Sequence, residues 1–365
     1  MPLMHFKQVS FYRFTKDIDF TQESLAAALE SARFQEAPAD GGTASEDRGA
    51  GSSLPVRFGW SNPLPYDSES LVYEQNGCLL FSLQKAEKVL PASVVNQKLD
   101  QRVQAIEMKD ARKLRRKEKQ EMKEDLIAEL LPRAFSKSSW SKAYIDLTKG
   151  LLVVASSSAN KADEITSLLR EDVGSLPILP VKPDVNPALQ FTDWVKNQSQ
   201  PANLAIGGAC TLTSQDQQGM SIRCKGSENL NEAVLSHIED GLLVSKLDVS
   251  WEDRMSFSLD EKFTLSGIKL LDAAIDSMPE SDGDIADRFA SEFHLFTSDM
   301  RVLHDDLLAA LGADEADTEA QADPAKADSS TQADDAGDSN DANQAAAATA
   351  DENSEETTTA EDAPW

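Results

Sequence analysis

The sequence has little cysteine and no long apolar run. Its cysteines, Cys78, Cys210 and Cys224, lie far apart and form no Cys-x-x-Cys pair. A sparse, odd count is typical of reduced thiols in a cytoplasmic protein. No apolar run approaches the roughly 18 residues of a membrane span. The first residues also lack the apolar stretch of a signal peptide. We therefore expect a cytoplasmic protein without a membrane segment.

The common signatures of catalysis are missing as well. The histidines are scattered and offer no metal-ligand spacing; they are His5, His237, His294 and His304. The chain has no Walker loop and no Gly-x-Ser-x-Gly motif, and Gly207-Gly208 lacks the third glycine of a dinucleotide-binding turn. Acidic pairs such as Glu252-Asp253 could hold Mg²⁺ in a nuclease, but 63 acidic residues make such pairs expected by chance. We predict a non-enzyme that uses no cofactor and no metal.

Basic residues are outnumbered, since 35 Lys and Arg stand against 63 Asp and Glu, for a formal net charge of −28. Residues 312–365 hold 16 acidic residues and one lysine, a net of −15, which leaves −13 for residues 1–311. This segment has almost no large apolar side chains, so we expect a disordered acidic tail. Its simplest role is to keep the protein soluble. A second role is electrostatic competition for a basic segment of the same chain.

That basic segment is residues 109–123, with eight basic and three acidic side chains. Its composition favours a helix, because it contains no Gly, Pro or β-branched residue. A local block of cations in an acidic protein indicates a surface that binds a polyanion. Contacts of this kind meet phosphates and read no bases, so binding to DNA would be nonspecific and salt-sensitive. The candidate residues are Arg112, Lys113, Arg115, Arg116, Lys117, Lys119 and Lys123.

Other interpretations of this segment stay open. It can be a solvated helix whose charges support each other, as Lys117 and Glu121 do at i,i+4. It can also bind the acidic surface of a protein partner. A second, weaker basic pair is Arg223 with Lys225, which strand alternation places on one face of a strand.

The hydrophobic patterns predict an α+β protein with mixed or antiparallel sheets, because hairpins and helices alternate without a regular βαβ rhythm. A long helical pattern runs from Pro91 to Leu131 and stops at Pro132. Its apolar stripe thins between Ile106 and Met122, which indicates an exposed middle or a bend into two helices.

We divide the chain into four segments. They are an N-terminal α+β lobe (1–90, with a flexible surface loop at 37–53), the long basic helix with a central hairpin and helix (91–175), a C-terminal α+β lobe (176–311) and the acidic tail (312–365).

Several motifs occur in a consistent order over residues 5–311. They are residues 90–97 (Leu-Pro-Ala-Ser-Val-Val-Asn-Gln), 130–136 (Leu-Leu-Pro-Arg-Ala-Phe-Ser), 150–154 (Gly-Leu-Leu-Val-Val) and 174–177 (Gly-Ser-Leu-Pro). Together they resemble the RdgC family of recombination-associated proteins. The resemblance implies a bacterial nucleoid-associated protein that binds duplex DNA with little sequence preference. It further implies elongated, horseshoe-like protomers that form a ring-shaped homodimer around DNA and restrain the RecA recombinase by occupying its DNA.

Carried over to this chain, Arg112 and its basic neighbours would line the hole of the ring. Phe135 would be an apolar anchor in one of the two contacts that close it. Without the resemblance, Phe135 is simply expected to be a buried core residue. The chain departs from the family pattern in its acidic tail and at Lys225-Gly226, where the family tends to carry paired lysines.

Overall fold

The computed structural model describes residues 6–35, 56–214, 219–226, 232–277 and 283–312. Within these ranges the chain forms eight α-helices and twelve strands, which confirms the α+β class. The loop predicted at 37–53 and the tail beyond Gly312 lie outside the described residues.

The strands are β1 (Gln8–Phe14), β2 (Val56–Ser61), β3 (Val72–Gln75), β4 (Cys78–Val89), β5 (Phe135–Asp146), β6 (Leu151–Val154), β7 (Ile178–Pro180), β8 (Leu204–Thr213), β9 (Ser221–Lys225), β10 (Leu243–Trp251), β11 (Met255–Asp260) and β12 (Thr264–Leu270). The helices are α1 (Gln22–Glu30), α2 (Ala92–Asp110), α3 (Arg116–Leu130), α4 (Ala159–Val173), α5 (Pro187–Asn197), α6 (Glu232–Glu239), α7 (Asp272–Asp276) and α8 (Ile285–Ala310).

All the strands belong to one antiparallel sheet, in the order β2-β4-β5-β6-β1-β12-β11-β10-β8-β9. The strands outside this order are β3, which pairs with β4, and β7, which pairs with β1. The first strand joins the two halves of the chain, because Tyr12 is opposite Leu152 on β6 and Val9 is opposite Leu265 on β12. The sheet thus runs through the segments that we assign to separate lobes, and that division stays a prediction.

Both faces of the sheet are buried in its N-terminal half. On β4, Leu79, Phe81 and Leu83 join one core with α1 and α4, whereas Leu80 faces a second core with α8. Strands buried on both faces read as continuous apolar runs, which explains the sequence of residues 78–81. The aromatic ring of Tyr144 packs edge-on against Phe293 of α8, at a centroid distance of 6.0 Å.

The C-terminal half of the sheet buries one face more completely than the other. On β10, Val244, Leu247 and Val249 are buried in the core. Lys246 and Asp248 are only half-buried. Their neighbours across the strands are polar or small, so this face of the sheet is hydrophilic.

The two longest strands, β4 and β5, form a ribbon that carries the helical segment. They pair over their full lengths, from Cys78 opposite Asp146 to Val89 opposite Phe135. Strand β6 pairs only with residues 143–146 of β5, and residues 135–140 are exposed. The chain between β4 and β5 forms α2 and α3, so the basic helices extend from the end of this ribbon.

The long helical pattern is broken into two helices, as the thin apolar stripe predicts. Ala111 ends α2 with a left-handed backbone (φ 50°), and α3 begins at Arg116. The two helices form a hairpin with buried apolar residues on both, namely Val95, Val103 and Leu126. Pro132 ends α3 in a short 3₁₀ turn, because proline cannot continue the helical hydrogen bonds.

Candidate nucleic-acid interface

The cations predicted to bind phosphate gather where α2 turns into α3. We call residues 109–119 the basic turn; it has seven basic and two acidic side chains. Most of these cations are exposed, whereas Lys119 and, further along α3, Lys123 are half-buried. The break at Ala111 therefore concentrates charge at the tip of a helical hairpin.

One cation of the turn is neutralised by a carboxylate on the other side of the bend. The Arg112 Nη1 and Nη2 atoms donate to both oxygens of Glu118, over 3.0 and 2.8 Å. Glu118 Oε2 also accepts the backbone N–H of Arg115 over 2.7 Å, so the same side chain caps α3. Chiefly through Arg112, these contacts hold the pKa of Glu118 at about 2.

Two further cations are paired. Lys119 Nζ lies 3.2 Å from Glu107 Oε1, which also accepts the Leu114 backbone N–H over 3.0 Å. These bonds, the Leu114 N–H first and Lys119 second, lower the pKa of Glu107. Lys117 lies 3.8 Å from Glu121, which confirms the predicted i,i+4 support.

The remaining predicted cations of the helices are not in ion pairs within the described part of the chain. They are Lys113, Arg115, Arg116 and Lys123. The basic side chain of Lys109 belongs with them, although the phosphate-contact prediction omitted it. A cation without an ion pair can bind a phosphate without first breaking a bond to a carboxylate. These residues are therefore the best candidates for a polyanion site.

A second cationic surface lies on the hydrophilic face of the sheet. Arg223 and Lys225 are exposed on one face of β9, opposite Thr211 and Ala209 of β8, as alternation predicts. They share a cavity of about 230 Å³ with Lys246 of β10. We call Arg223, Lys225 and Lys246 the cationic floor. Lys246 is not among the candidate residues predicted from the sequence. Its place in the alternating pattern of β10 could have identified it as a cation on the hydrophilic face of the sheet.

Beside the floor lies an open groove of about 1050 Å³. Its basic lining residues are Lys182, Arg223, Lys246 and Lys262. An equal number of carboxylates lines it, namely Asp163, Asp184, Asp260 and Glu261. The groove as a whole is therefore electrically balanced, and two of its four basic residues, Arg223 and Lys246, belong to the floor.

The sequence matches, over residues 4–314, a family described as "Putative exonuclease, RdgC". The chain belongs to the RdgC family. The recombination-associated protein RdgC of Psychromonas ingrahamii is 34% identical over 313 residues, which cover 86% of this chain and 99% of the relative. The protein of the same name from Actinobacillus succinogenes is 34% identical over 312 residues (84% and 97% covered). That from Aeromonas hydrophila is 33% identical over 313 residues (86% and 99% covered).

Phe135 lies in the Leu-Leu-Pro-Arg-Ala-Phe motif of this RdgC-family chain and begins β5. Its side chain is 88% exposed, so the interpretation as a buried core residue is wrong. The reason is that β5 extends past the covered part of the sheet, where Trp140 is also 57% exposed. The role of Phe135 as a dimer anchor stays a prediction.

The acidic pair Glu252-Asp253 forms the tight turn between β10 and β11, and both residues have left-handed backbones (φ 46° and 53°). In the ranges that the structure describes, no three His, Cys, Asp or Glu side chains come together as a possible metal site. None of the described helices combines the length and apolar character needed to cross a membrane.

Proposed function

We propose that this chain binds duplex DNA without sequence preference, as a ring-shaped homodimer, and so limits the access of the RecA recombinase to DNA. The observation that carries the proposal is the set of exposed, unpaired cations on the basic turn, above all Lys113, Arg115 and Arg116. Membership of a family whose curated relatives are named recombination-associated proteins supports it. Such a protein would occupy the nucleoid in the cytoplasm.

The electrostatics favour a confined DNA site. A net charge of −28 repels DNA from most of the surface, so contact is restricted to places where cations outnumber carboxylates. Each phosphate that a cation neutralises releases condensed counterions and adds about 0.9 to the salt slope of binding. Lys and Arg contacts of this kind do not read base edges, which explains binding without sequence preference. RecA would then be excluded because the DNA is already covered.

The homodimer is supported by the exposed beginning of β5. The ring of Phe135 is 88% exposed, and aromatic side chains are enriched at protein–protein interfaces. Among the described strands, residues 135–141 of β5 pair only with β4, and a free strand edge is a template for a second chain. In the proposed ring, two elongated protomers meet at two contacts, and Phe135 anchors one of them.

The test is duplex binding over a salt series with two variants of equal charge change. The first replaces Lys113, Arg115 and Arg116 with Ala; the second replaces Arg112, Lys117 and Lys119, whose charges are already paired. We expect the first variant to lose affinity and about 2.7 of the salt slope, and the second to lose much less. Unchanged affinity and slope in a folded first variant would move DNA contact away from the basic turn.

A protein partner with an acidic surface is the alternative ligand for the same cations. Competition by unrelated duplexes of equal length distinguishes the two ligands. Each duplex should displace a bound duplex equally well if the site binds DNA without sequence preference. Failure of duplex DNA to bind, together with salt-sensitive capture of an acidic protein, would favour this non-catalytic interaction role.

The family description also names an exonuclease. Incubation of end-labelled duplex with Mg²⁺ tests this activity, and we expect no shortening of the strands. Shortening that disappears when Glu252 and Asp253 are both changed to Ala would establish a nuclease and identify its carboxylates.

A further inference from the structure

The described part of the chain ends at the rim of the open groove. Helix α8 ends at Ala310, and Gly312 follows with φ 79°. A Cβ atom at position 312 would lie 2.6 Å from Val185 Cγ2, so the backbone here is in close contact with Val185. Val185 lines the groove together with Arg223 and Lys246 of the cationic floor. The described chain therefore ends at the rim of a groove that contains two cations of the floor, Arg223 and Lys246.

The chain that follows is strongly acidic. Residues 313–365 hold 16 acidic residues and one lysine. The first four acidic residues, Asp314, Glu315, Asp317 and Glu319, come within seven residues of Gly312. An extended chain of seven residues spans at most about 25 Å, so these carboxylates stay within about that distance of Gly312. Such tethering gives them a high effective concentration there.

The cationic floor offers the matching charge. Arg223 and Lys225 are exposed and make no ion pair within the described ranges. Lys246 Nζ donates only to a hydroxyl, Ser266 Oγ, over 2.6 Å. Two carboxylates lie beside the floor: Asp248, which accepts a hydrogen bond from the Ser258 hydroxyl, and Asp260, which is directly opposite Lys246 across the strands. Three cations against two carboxylates leave the floor a net positive charge, which favours an anion.

The rest of the groove would direct an acidic segment toward this floor. The carboxylates of Asp163, Asp184 and Glu261 line the groove but not the cavity of about 230 Å³ that Arg223, Lys225 and Lys246 line together. Asp260 also lines it, and its Oδ1 accepts the backbone N–H groups of Lys262 and Thr264, over 3.0 Å each. Like charges repel, so a polyanion entering the groove is favoured at the floor over the surface around Asp163, Asp184 and Glu261.

We propose that the acidic segment 313–365 binds the cationic floor of its own chain and competes there with DNA. The proposal rests on the proposed function, since it assigns the floor to the DNA-binding surface and gives that surface an internal competitor. Ion pairs between exposed groups are weak and screened by salt. Duplex DNA has the denser line of charge and displaces the segment. The segment thereby weakens loose DNA contacts more than extended ones.

The test uses the full-length chain with the 16 acidic residues of the segment changed to Asn or Gln. We expect its duplex affinity to exceed that of the wild type on the order of tenfold at low salt, with the difference shrinking as salt is added. The same comparison is made in two backgrounds. With Arg223, Lys225 and Lys246 changed to Ala the gain should vanish, whereas with Lys113, Arg115 and Arg116 changed to Ala it should persist. No gain in the wild-type background, or a full gain without the floor, overturns the proposal.

A measurement without DNA separates this proposal from the proposed function. A fluorescent peptide of residues 313–365 is titrated with the full-length neutralised chain, and its anisotropy is followed. We expect salt-sensitive binding that is lost when Arg223, Lys225 and Lys246 are changed to Ala. Peptide binding with no DNA binding would overturn the DNA function, and the competition with it, but would leave the contact between the segment and the floor standing. DNA binding with no floor-dependent peptide binding would sink the internal competitor alone.

Discussion

Arg112 and Glu118 lock the bend between α2 and α3, with both terminal guanidinium nitrogens bound to the two carboxylate oxygens. The most basic stretch of the chain therefore contains its own counterion. This pair shapes the tip of the hairpin, while the neighbouring Lys113, Arg115 and Arg116 stay available to a ligand. Folding thus divides the cations into those that hold the turn and those that can bind.

Removing the charge of Glu118 should strengthen DNA binding. In Glu118→Gln the Arg112 cation is freed, while Gln at this position can still accept the Arg115 N–H and cap α3. We expect tighter duplex binding at low salt, with a salt slope steeper by about 0.9. The matched control is Glu124→Gln, which makes the same change in net charge at a carboxylate bonded to Gln120. Equal effects of the two variants would mean that only net charge matters.

Acid should weaken the helical hairpin. Three glutamates of the hairpin have pKa values below their ordinary 4.5. The Leu114 N–H and Lys119 lower the pKa of Glu107, and Arg102 lowers that of Glu129. Arg112 lowers the pKa of Glu118 to about 2. A carboxyl group with a depressed folded pKa contributes stability above its unfolded pKa, and this contribution is lost as pH falls through the folded value. The hairpin should therefore loosen between about pH 4.5 and pH 2.

Far-UV circular dichroism from pH 5 to pH 2 measures this loss of helix. In a variant with Glu107, Glu118 and Glu129 all changed to Gln, the hairpin part of the change should be absent, because no such carboxylates remain to be protonated. An identical acid transition in the variant and the wild type would contradict the prediction.

Local patterns allowed the break in the long helix to be predicted, because a stripe that thins between Ile106 and Met122 cannot bury the middle of one straight helix. The length of the β4–β5 ribbon could not be predicted from the sequence. Its outer half, with Lys85, Lys88 and Ser136, lacks the alternation of apolar and polar residues that marks a strand of a covered sheet.

Long-range pairing could not be read from one sequence. Nothing in the local composition of β1 indicates that Val9 lies opposite Leu265. The same limit applies to the site. Arg112 and Glu118 are six residues apart and meet only because of the bend at Ala111. Exposure of Phe135 likewise depends on how far the rest of the sheet extends beside β5.

The buried ion pair between Arg301 of α8 and Asp146 of β5 should be a strong determinant of stability. Arg301 Nε donates to Asp146 Oδ2 over 2.5 Å and Nη2 donates to the Asn76 carbonyl over 2.6 Å. The Asp146 side chain is only 2% exposed. In Arg301→Ala this carboxylate loses its cation, which should cost about 3–5 kcal/mol.

Urea denaturation with an unchanged m-value measures the effect of Arg301→Ala. The urea midpoint of Arg301→Lys should lie between those of Arg301→Ala and the wild type, since lysine keeps the charge but not the two-pronged geometry of the guanidinium group. The control is Arg33→Ala, which breaks a more exposed pair with Glu30 and a hydrogen bond to the Glu69 carbonyl, and should lower the midpoint much less. Similar midpoints for Arg301→Ala and Arg33→Ala would show that burial adds nothing to the pair.

Phe135→Ala should dissociate the proposed homodimer without unfolding the protomer. The side chain is 88% exposed, so its removal leaves no cavity in the protomer. The control is Phe81→Ala, where a fully buried ring is lost at a cost of about 3–5 kcal/mol. Sedimentation equilibrium gives the oligomeric state, and denaturation at low protein concentration gives protomer stability, because dimerisation itself raises the apparent midpoint. A monomeric Phe135→Ala with a wild-type midpoint would assign the ring to the interface, whereas an intact dimer would place the interface elsewhere.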